Sequence, residues 1–350
     1  MCKRRKMVFL PVVLCCLLGI LFLKEPVLAA EGFANGLRLC TSTVLPALFP
    51  FFVLTDLLLT CPLRNRIFRP AARLFGLENE IAIPVLGLSW VGGYAVCAKV
   101  VGDLRKNRLL NARDAALVVL LGCCSSPGFV IGCVGGLLMG NVRLGILFFW
   151  LQLAANLAAA ALCIGLLPRK TAQSVSTKAT VPESLSFSNA IGNAVGSCLQ
   201  VCGCVLFFRM TEAVLVPFLP QTALTIPVMS AFLEISAGCS DFAALGGRYA
   251  LYGCCTCLSV LGLSVWAQIS LLLQGAVPLR LLLVHRTVHL FVFLAMVGLL
   301  VRFLPGTAVV YRSMAERVVT TQRLPWDAAV LVFAFLCASL YKVRQNFYNK

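Results

Sequence analysis

The chain has 350 residues, 60% hydrophobic and 12% charged, with a formal net charge of +17 and a mean hydropathy of +0.93. A soluble globular chain carries about 25% charged residues, and several apolar runs here reach the roughly 20 residues that cross a bilayer as a helix. A soluble domain is therefore excluded. The positive balance would suggest nucleic acid in a soluble chain, but Lys and Arg sit mainly in the links between apolar runs, where they orient a membrane protein. The expected partner is the lipid bilayer, not nucleic acid.

In chain order, residues 1–31 read as a basic start followed by an apolar run from Met7 to Leu23, with small residues at Ala29 and Ala30. That resembles a signal peptide. The run is long for a cleaved one, so we expect an uncleaved first helix with its start in the cytoplasm. The next runs are Leu39 to Cys61, Ile81 to Ala98, Ala115 to Met139, and Leu144 to Leu167. After the polar linker 168–186 come Ala190 to Val216, Leu224 to Ser240, Cys254 to Leu273, Leu281 to Phe303, and Pro325 to Tyr341.

Ile81 to Ala98 is short, broken by Gly87 and Gly92-Gly93, and flanked by Arg69 and Arg73 on one side and Arg105, Lys106 and Arg108 on the other. Basic flanks place both ends in the cytoplasm, so the segment reads as re-entrant. Leu224 to Ser240 reads as its counterpart from outside. Threading the remainder gives an all-α polytopic protein with about eight transmembrane helices and two re-entrant or broken segments. The basic residues Arg312, Arg317 and Arg323 fit this threading least well, since they fall in a link assigned to the outside.

Residues 32–167 and 187–303 then share one plan in opposite orientation, with 304–350 adding an outer link and a last helix. Short echoes support the pairing: Phe33-Ala34-Asn35 with Phe187-Ser188-Asn189, Ile83-Pro84-Val85 with Ile226-Pro227-Val228, and Gly122-Cys123-Cys124 with Gly253-Cys254-Cys255. Inverted-topology repeats of this kind carry their binding sites near the bilayer midplane.

The 18 cysteines lie almost wholly in apolar runs, without the polar knuckles of zinc ribbons. We read them as small packing residues; a soft-metal or ion carrier is the alternative they leave open. His285 and His289 share a helical face without an evident third ligand, and their place near a helix end lets them and Arg286 reach the interface. No resident metal or cofactor is expected.

Candidate site residues are the polar groups that hydrocarbon should exclude. The first half supplies Gly92, Gly93, Tyr94, Ser125 and Ser126; Ser125 or Ser126 before Pro127 is a helix N-cap with proline in the first turn. The second half supplies Glu234, Ser236, Gly238 and Gln268, with Ser240 or Asp241 read as the cap of a following half-helix. Glu234 stands out, because a carboxylate in an apolar segment must face a cavity or a partner, and Lys99 is a conceivable counter-charge. Ser264 with His285 or His289 as its base would make an intramembrane serine hydrolase, but the surrounding residues do not fit one and no other catalytic fingerprint is present. An enzyme is not expected.

"GGYAVCAK" (Gly92 to Lys99), "SSPGFVIGCVGGLLMGN" (Ser125 to Asn141), "FLEISAG" (Phe232 to Gly238) and "GLRLCTSTVLPALFPFFVLTDLL" (Gly36 to Leu58) resemble the nucleoside-recognition, or Gate, domain family, in its branch of sporulation integral membrane proteins of the YlbJ type. Ala95, Cys97 and Trp266 stand where that family usually has proline, glycine and often histidine. The resemblance covers roughly residues 32 to 300. It implies a transporter-like protein of a spore-forming bacterium's inner membrane, acting on an unknown small solute or ion. A non-transporting membrane scaffold is the other reading, and homo-oligomerisation is left open.

Overall fold

The computed structural model describes residues 2–58, 68–167, 187–220 and 222–303. These residues contain helices and no strand. The linker 168–186, Gln221, and the last expected helix, Pro325 to Tyr341, lie outside the described residues.

Helix α1 (Cys2–Lys24) meets α2 (Pro26–Leu39) at a 100° bend, where Pro26 starts a new helix because it lacks the N–H that would continue the old one. A π-helical stretch, π1 (Cys40–Val44), joins α2 to α3 (Leu45–Leu58), and the short α4 is Arg69–Leu74. Then come α5 (Ala82–Gly92), α6 (Tyr94–Lys106), α7 (Ala112–Gly122), a second π-helix, π2 (Gly128–Leu138), and α8 (Val142–Leu162). The second half runs through α9 (Phe187–Leu215), α10 (Thr225–Leu233), α11 (Ile235–Leu245), α12 (Gly247–Val260), α13 (Gly262–Leu273) and α14 (Leu279–Phe303).

Four of the described helical runs are long and apolar enough to cross a membrane: Val142–Leu162, Phe187–Phe218, Gly247–Leu273 and Leu279–Arg302. The bent pair at Lys24 raises the number to five. The sequence threading counts more, because it treats each apolar run as one element, whereas the chain breaks several runs into half-helices. The Ala115 to Met139 run, for example, becomes α7 and π2 with a non-helical link between them. The large apolar side chains left outside the core, such as Leu162 at 71% and Phe291 at 68% exposure, suit hydrocarbon rather than water. The chain is a helical integral membrane protein with several apolar spans.

The breaks are where the fold becomes informative. Gly93 has φ +83° and separates α5 from α6, a backbone region open to glycine at little cost. Leu261 has φ +74° and separates α12 from α13; for a leucine this is a strained conformation, of the kind that persists at functional sites. Between α7 and π2 the backbone runs free from Cys123 to Ser126, and between α10 and α11 a single extended residue intervenes, Glu234.

Candidate functional site

A helix broken inside a membrane strands N–H and C=O groups that lipid cannot satisfy. In this protein those groups sort into two sets. The carbonyls at the C-terminal ends of α7 and α12 are gathered on one side and bonded by side chains from other helices. The Nδ2 of Asn156 in α8 donates to Leu120 O (3.0 Å) and Leu121 O (2.8 Å), and Trp90 Nε1 also donates to Leu121 O (2.8 Å). Gln152, one turn before Asn156, donates to Ser125 O at 3.2 Å. Arg286 of α14 spans both breaks. It donates to Cys123 O (3.2 Å) beyond α7, to Leu258 O (2.6 Å) and Ser259 O (3.0 Å) in α12, and to Asn156 Oδ1 (3.2 Å).

The N-terminal ends face the other way. Ser126 Oγ accepts the Phe129 N–H at 3.3 Å, so Ser126 caps the half-helix that Pro127 opens, as expected from the sequence. Glu234 caps α11, its Oε2 accepting the Ala237 N–H at 2.7 Å. The cap of that segment is therefore Glu234 itself. Ser240 and Asp241 lie inside α11 and cap nothing, since α12 follows from Gly246.

These ends border one cavity of about 460 Å³. Gly92, Gly93, Tyr94, Ser125, Ser126, Glu234, Ser236 and Gln268 all line it. The Tyr94 hydroxyl lies 2.6 Å from Ser125 Oγ and donates to Leu258 O at 2.9 Å, and Gln268 Nε2 donates to Ser264 Oγ at 3.1 Å. The remaining candidate, Gly238, does not line the cavity. It lets α11 press on α10: a Cβ there would lie 2.4 Å from Ala231 Cα.

The structure changes several of these expectations. Lys99 is not the counter-charge of Glu234; it is buried and paired with Asp56 and with Asp103, the latter at 3.0 Å. His285, Arg286 and His289 do not reach an interface, for none is more than 2% exposed. His285 Nε2 donates to Asn156 O at 3.2 Å, and His289 Nε2 to Gln152 O at 3.3 Å, which holds α14 against α8. The serine beside His289 Nδ1 is Ser259, at 3.0 Å, not Ser264. Among the described residues, no group of three or more His, Cys, Asp or Glu side chains is placed to hold a metal ion.

Two groups of site residues escape the sequence reading. Ser42 and Thr43, from π1, also line the cavity, and the signal for them is the polar triplet Thr41-Ser42-Thr43 inside an apolar run. Arg286 stands behind the cavity with its guanidinium 5.7 Å from the Tyr94 ring centroid, a cation–π geometry. Its signal is an arginine inside an apolar helix.

No family model and no solved structure matches this chain. In an alignment of 261 positions that covers 62% of this chain, the chain is 25% identical to the sporulation integral membrane protein YlbJ of Bacillus subtilis (strain 168). The match spans 63% of that relative, less than two thirds of its length, and it makes this chain similar to a sporulation membrane protein.

Proposed function

We propose that this chain is a solute-translocating protein of the bacterial inner membrane that serves endospore formation. The observation that carries the reading is the cavity, in which half-helix ends from both parts of the chain converge around a buried carboxylate, Glu234. Irregular backbone at membrane depth is tolerated where it lines a cavity or is buried in protein, and transporters build their substrate sites from such discontinuous helices. A scaffold that only packs has no use for a cavity of this size with a carboxylate in its wall. The similarity to a sporulation membrane protein supplies the biological setting.

We read residues 32–167 and 187–303 as two inverted-topology repeats with the N-terminus in the cytoplasm. The order of elements supports this: α5–α6 and α10–α11 each break after a short apolar helix, α7–π2 and α12–α13 break next, and the long α8 and α14 follow. The cavity sits between the paired breaks, where a repeat interface would place a substrate site.

Glu234→Gln is the discriminating variant, because it keeps shape and most hydrogen bonding while removing charge. Expressed in a spore-forming host that lacks its own copy, it should reach the membrane at the normal level and yield few heat-resistant spores. Full spore yield from that variant would reduce Glu234 to architecture and overturn the site.

A further inference from the structure

A second set of buried charges lies one turn beyond the cavity and takes no part in it. Asp56 of α3 is 4% exposed and Lys99 of α6 is 7% exposed. The Lys99 ammonium pairs with Asp56 Oδ1 and, at 3.0 Å, with Asp103 Oδ2. Two carboxylates facing one ammonium leave one negative charge uncompensated. The structure also shows where that charge is unmet: Asp56 Oδ2 is buried and has no hydrogen-bond partner.

Among the described residues, no cation other than Lys99 is paired with Asp56 or Asp103. Helix α5 packs against α3 and α6, and α13 against α6, yet neither helix has an ionisable side chain. From α9 comes the thiol of Cys198, within range of the Lys99 charge. The first turn of α7 brings Arg113 and Asp114, and the Asp114 carboxylate is already held by the N–H groups of Glu78 and Asn79. On α6 itself, Arg105 is bonded to Leu110 O beyond the helix end, and Lys106 lies in its last turn.

We propose that the Asp56–Lys99–Asp103 cluster is a proton-binding site, with the proton carried on Asp56 Oδ2. The chemistry selects a proton over a metal ion. Hard cations need several oxygen ligands at once, whereas a single orphan oxygen is what one proton requires. Binding forms an O–H bond at Oδ2, converts the Asp56–Lys99 ion pair into a neutral acid beside an ammonium, and leaves Lys99 balanced by Asp103 alone. The cluster then carries no net charge.

Its position gives the proton a route. Ala95, Lys99 and Asp103 recur every fourth residue and so share one face of α6. Ala95 lines the cavity, Lys99 is buried, and the Asp103 side chain is 26% exposed near the basic end of the helix. That row runs from the cavity toward the surface. Coupling of solute movement to this proton rests on the transport reading; the binding of the proton does not.

The test uses the full chain in lipid nanodiscs without any solute, with pH titrated and the carboxylic-acid C=O stretch followed by infrared difference spectroscopy. A titrating carboxyl band should be present in the wild type, absent in Asp56→Asn, and moved to lower pH in Asp103→Asn, which removes the excess negative charge. Asp56→Asn combined with Lys99→Met removes both members of the pair and serves if the single variant does not fold; it should lose the same band. A spectrum of Asp56→Asn identical to the wild type, or a band lost only in Asp103→Asn, overturns the assignment. So does loss of the band on adding sodium chloride at fixed pH, which would reveal a metal-cation site. Because no solute is present, failure here leaves the Glu234 cavity standing, and failure of Glu234→Gln in cells leaves the proton site standing.

Discussion

Glu234 and Arg286 are both buried ionisable residues placed at helix breaks, yet the protein treats them in opposite ways. Arg286 has four hydrogen bonds, to Cys123, Asn156, Leu258 and Ser259, and no carboxylate partner among the described residues. Its charge is spent on carbonyls at helix C-termini, where the macrodipole is negative and a cation is favoured. Glu234 sits at the opposite kind of end, a helix N-terminus, and lines the cavity while capping α11. One charge is committed to holding the breaks together. The other is turned toward the space that the breaks create. The comparison teaches that burial of a charge in a membrane helix does not identify a site; what matters is whether its hydrogen-bonding capacity is consumed by the fold.

The comparison breaks most visibly at Arg286. Arg286→Leu should leave three backbone carbonyls and Asn156 Oδ1 without this donor, at about 1–3 kcal/mol for each group left unsatisfied. We expect a loss of well over about 3 kcal/mol, read as poor membrane accumulation and a sharply lowered unfolding temperature in detergent. Arg286→Lys should not rescue it, because an ammonium is a point charge that cannot reproduce the planar fork. Near-normal stability of either variant would mean the helix ends are satisfied by other means.

Gly238→Val comes next. Its Cβ would collide with Ala231 Cα at 2.4 Å, and overpacking of this kind costs about 1–3 kcal/mol. The readout is the unfolding temperature, with loss of function following from displacement of the α10–α11 hairpin rather than from lost solute contacts.

Glu234→Ala removes an N-cap, worth about 0.5–2 kcal/mol, while Glu234→Gln should cost less. Both variants should lose most of their function although their stability falls far less than that of Arg286→Leu. A stability loss equal to that of Arg286→Leu would place Glu234 in the architectural class.

The smallest effect is expected at the cysteines. Cys254, Cys255 and Cys257 are fully buried, and the Cys254 thiol donates to Cys239 O at 3.5 Å. Replacing the three by Ala or Ser should leave function intact and lower stability only modestly. Metal-dependent stabilisation of the purified protein that vanishes in the triple variant would show instead that they bind a soft metal.

How much of this was legible in the chain follows from the range of the interactions. Glu234 and the Gly92-Gly93 pair announce themselves locally, since a lone carboxylate or paired glycines in an apolar run has few innocent explanations. The Ser126-Pro127 cap was legible for the same reason. Gly238 was not, because small residues serve close helix packing and ligand access with one pattern. Arg286 reads from sequence as an interfacial residue because basic residues near helix ends ordinarily snorkel. Its true acceptors are carbonyls that become orphans only once α7 and α12 break. The true partner of Lys99, Asp56, lies 43 positions away, and no local sign in the sequence marks it. The span count suffered similarly, because apolar length does not reveal where a helix will stop.

A solute site at Glu234 requires the cavity to be aqueous rather than a dry gap within the membrane, and that can be measured directly. In a fully active variant freed of its 18 native cysteines, Ser42→Cys, Ser125→Cys and Ser236→Cys should each react with a charged, membrane-impermeant thiol reagent. Trp150→Cys, 60% exposed on the outer surface of α8, should react only with an apolar reagent. Labelling of all three cavity positions and not of position 150 is the predicted result. Protection of the three serine positions from the charged reagent, with reaction only from the lipid phase, would contradict the account.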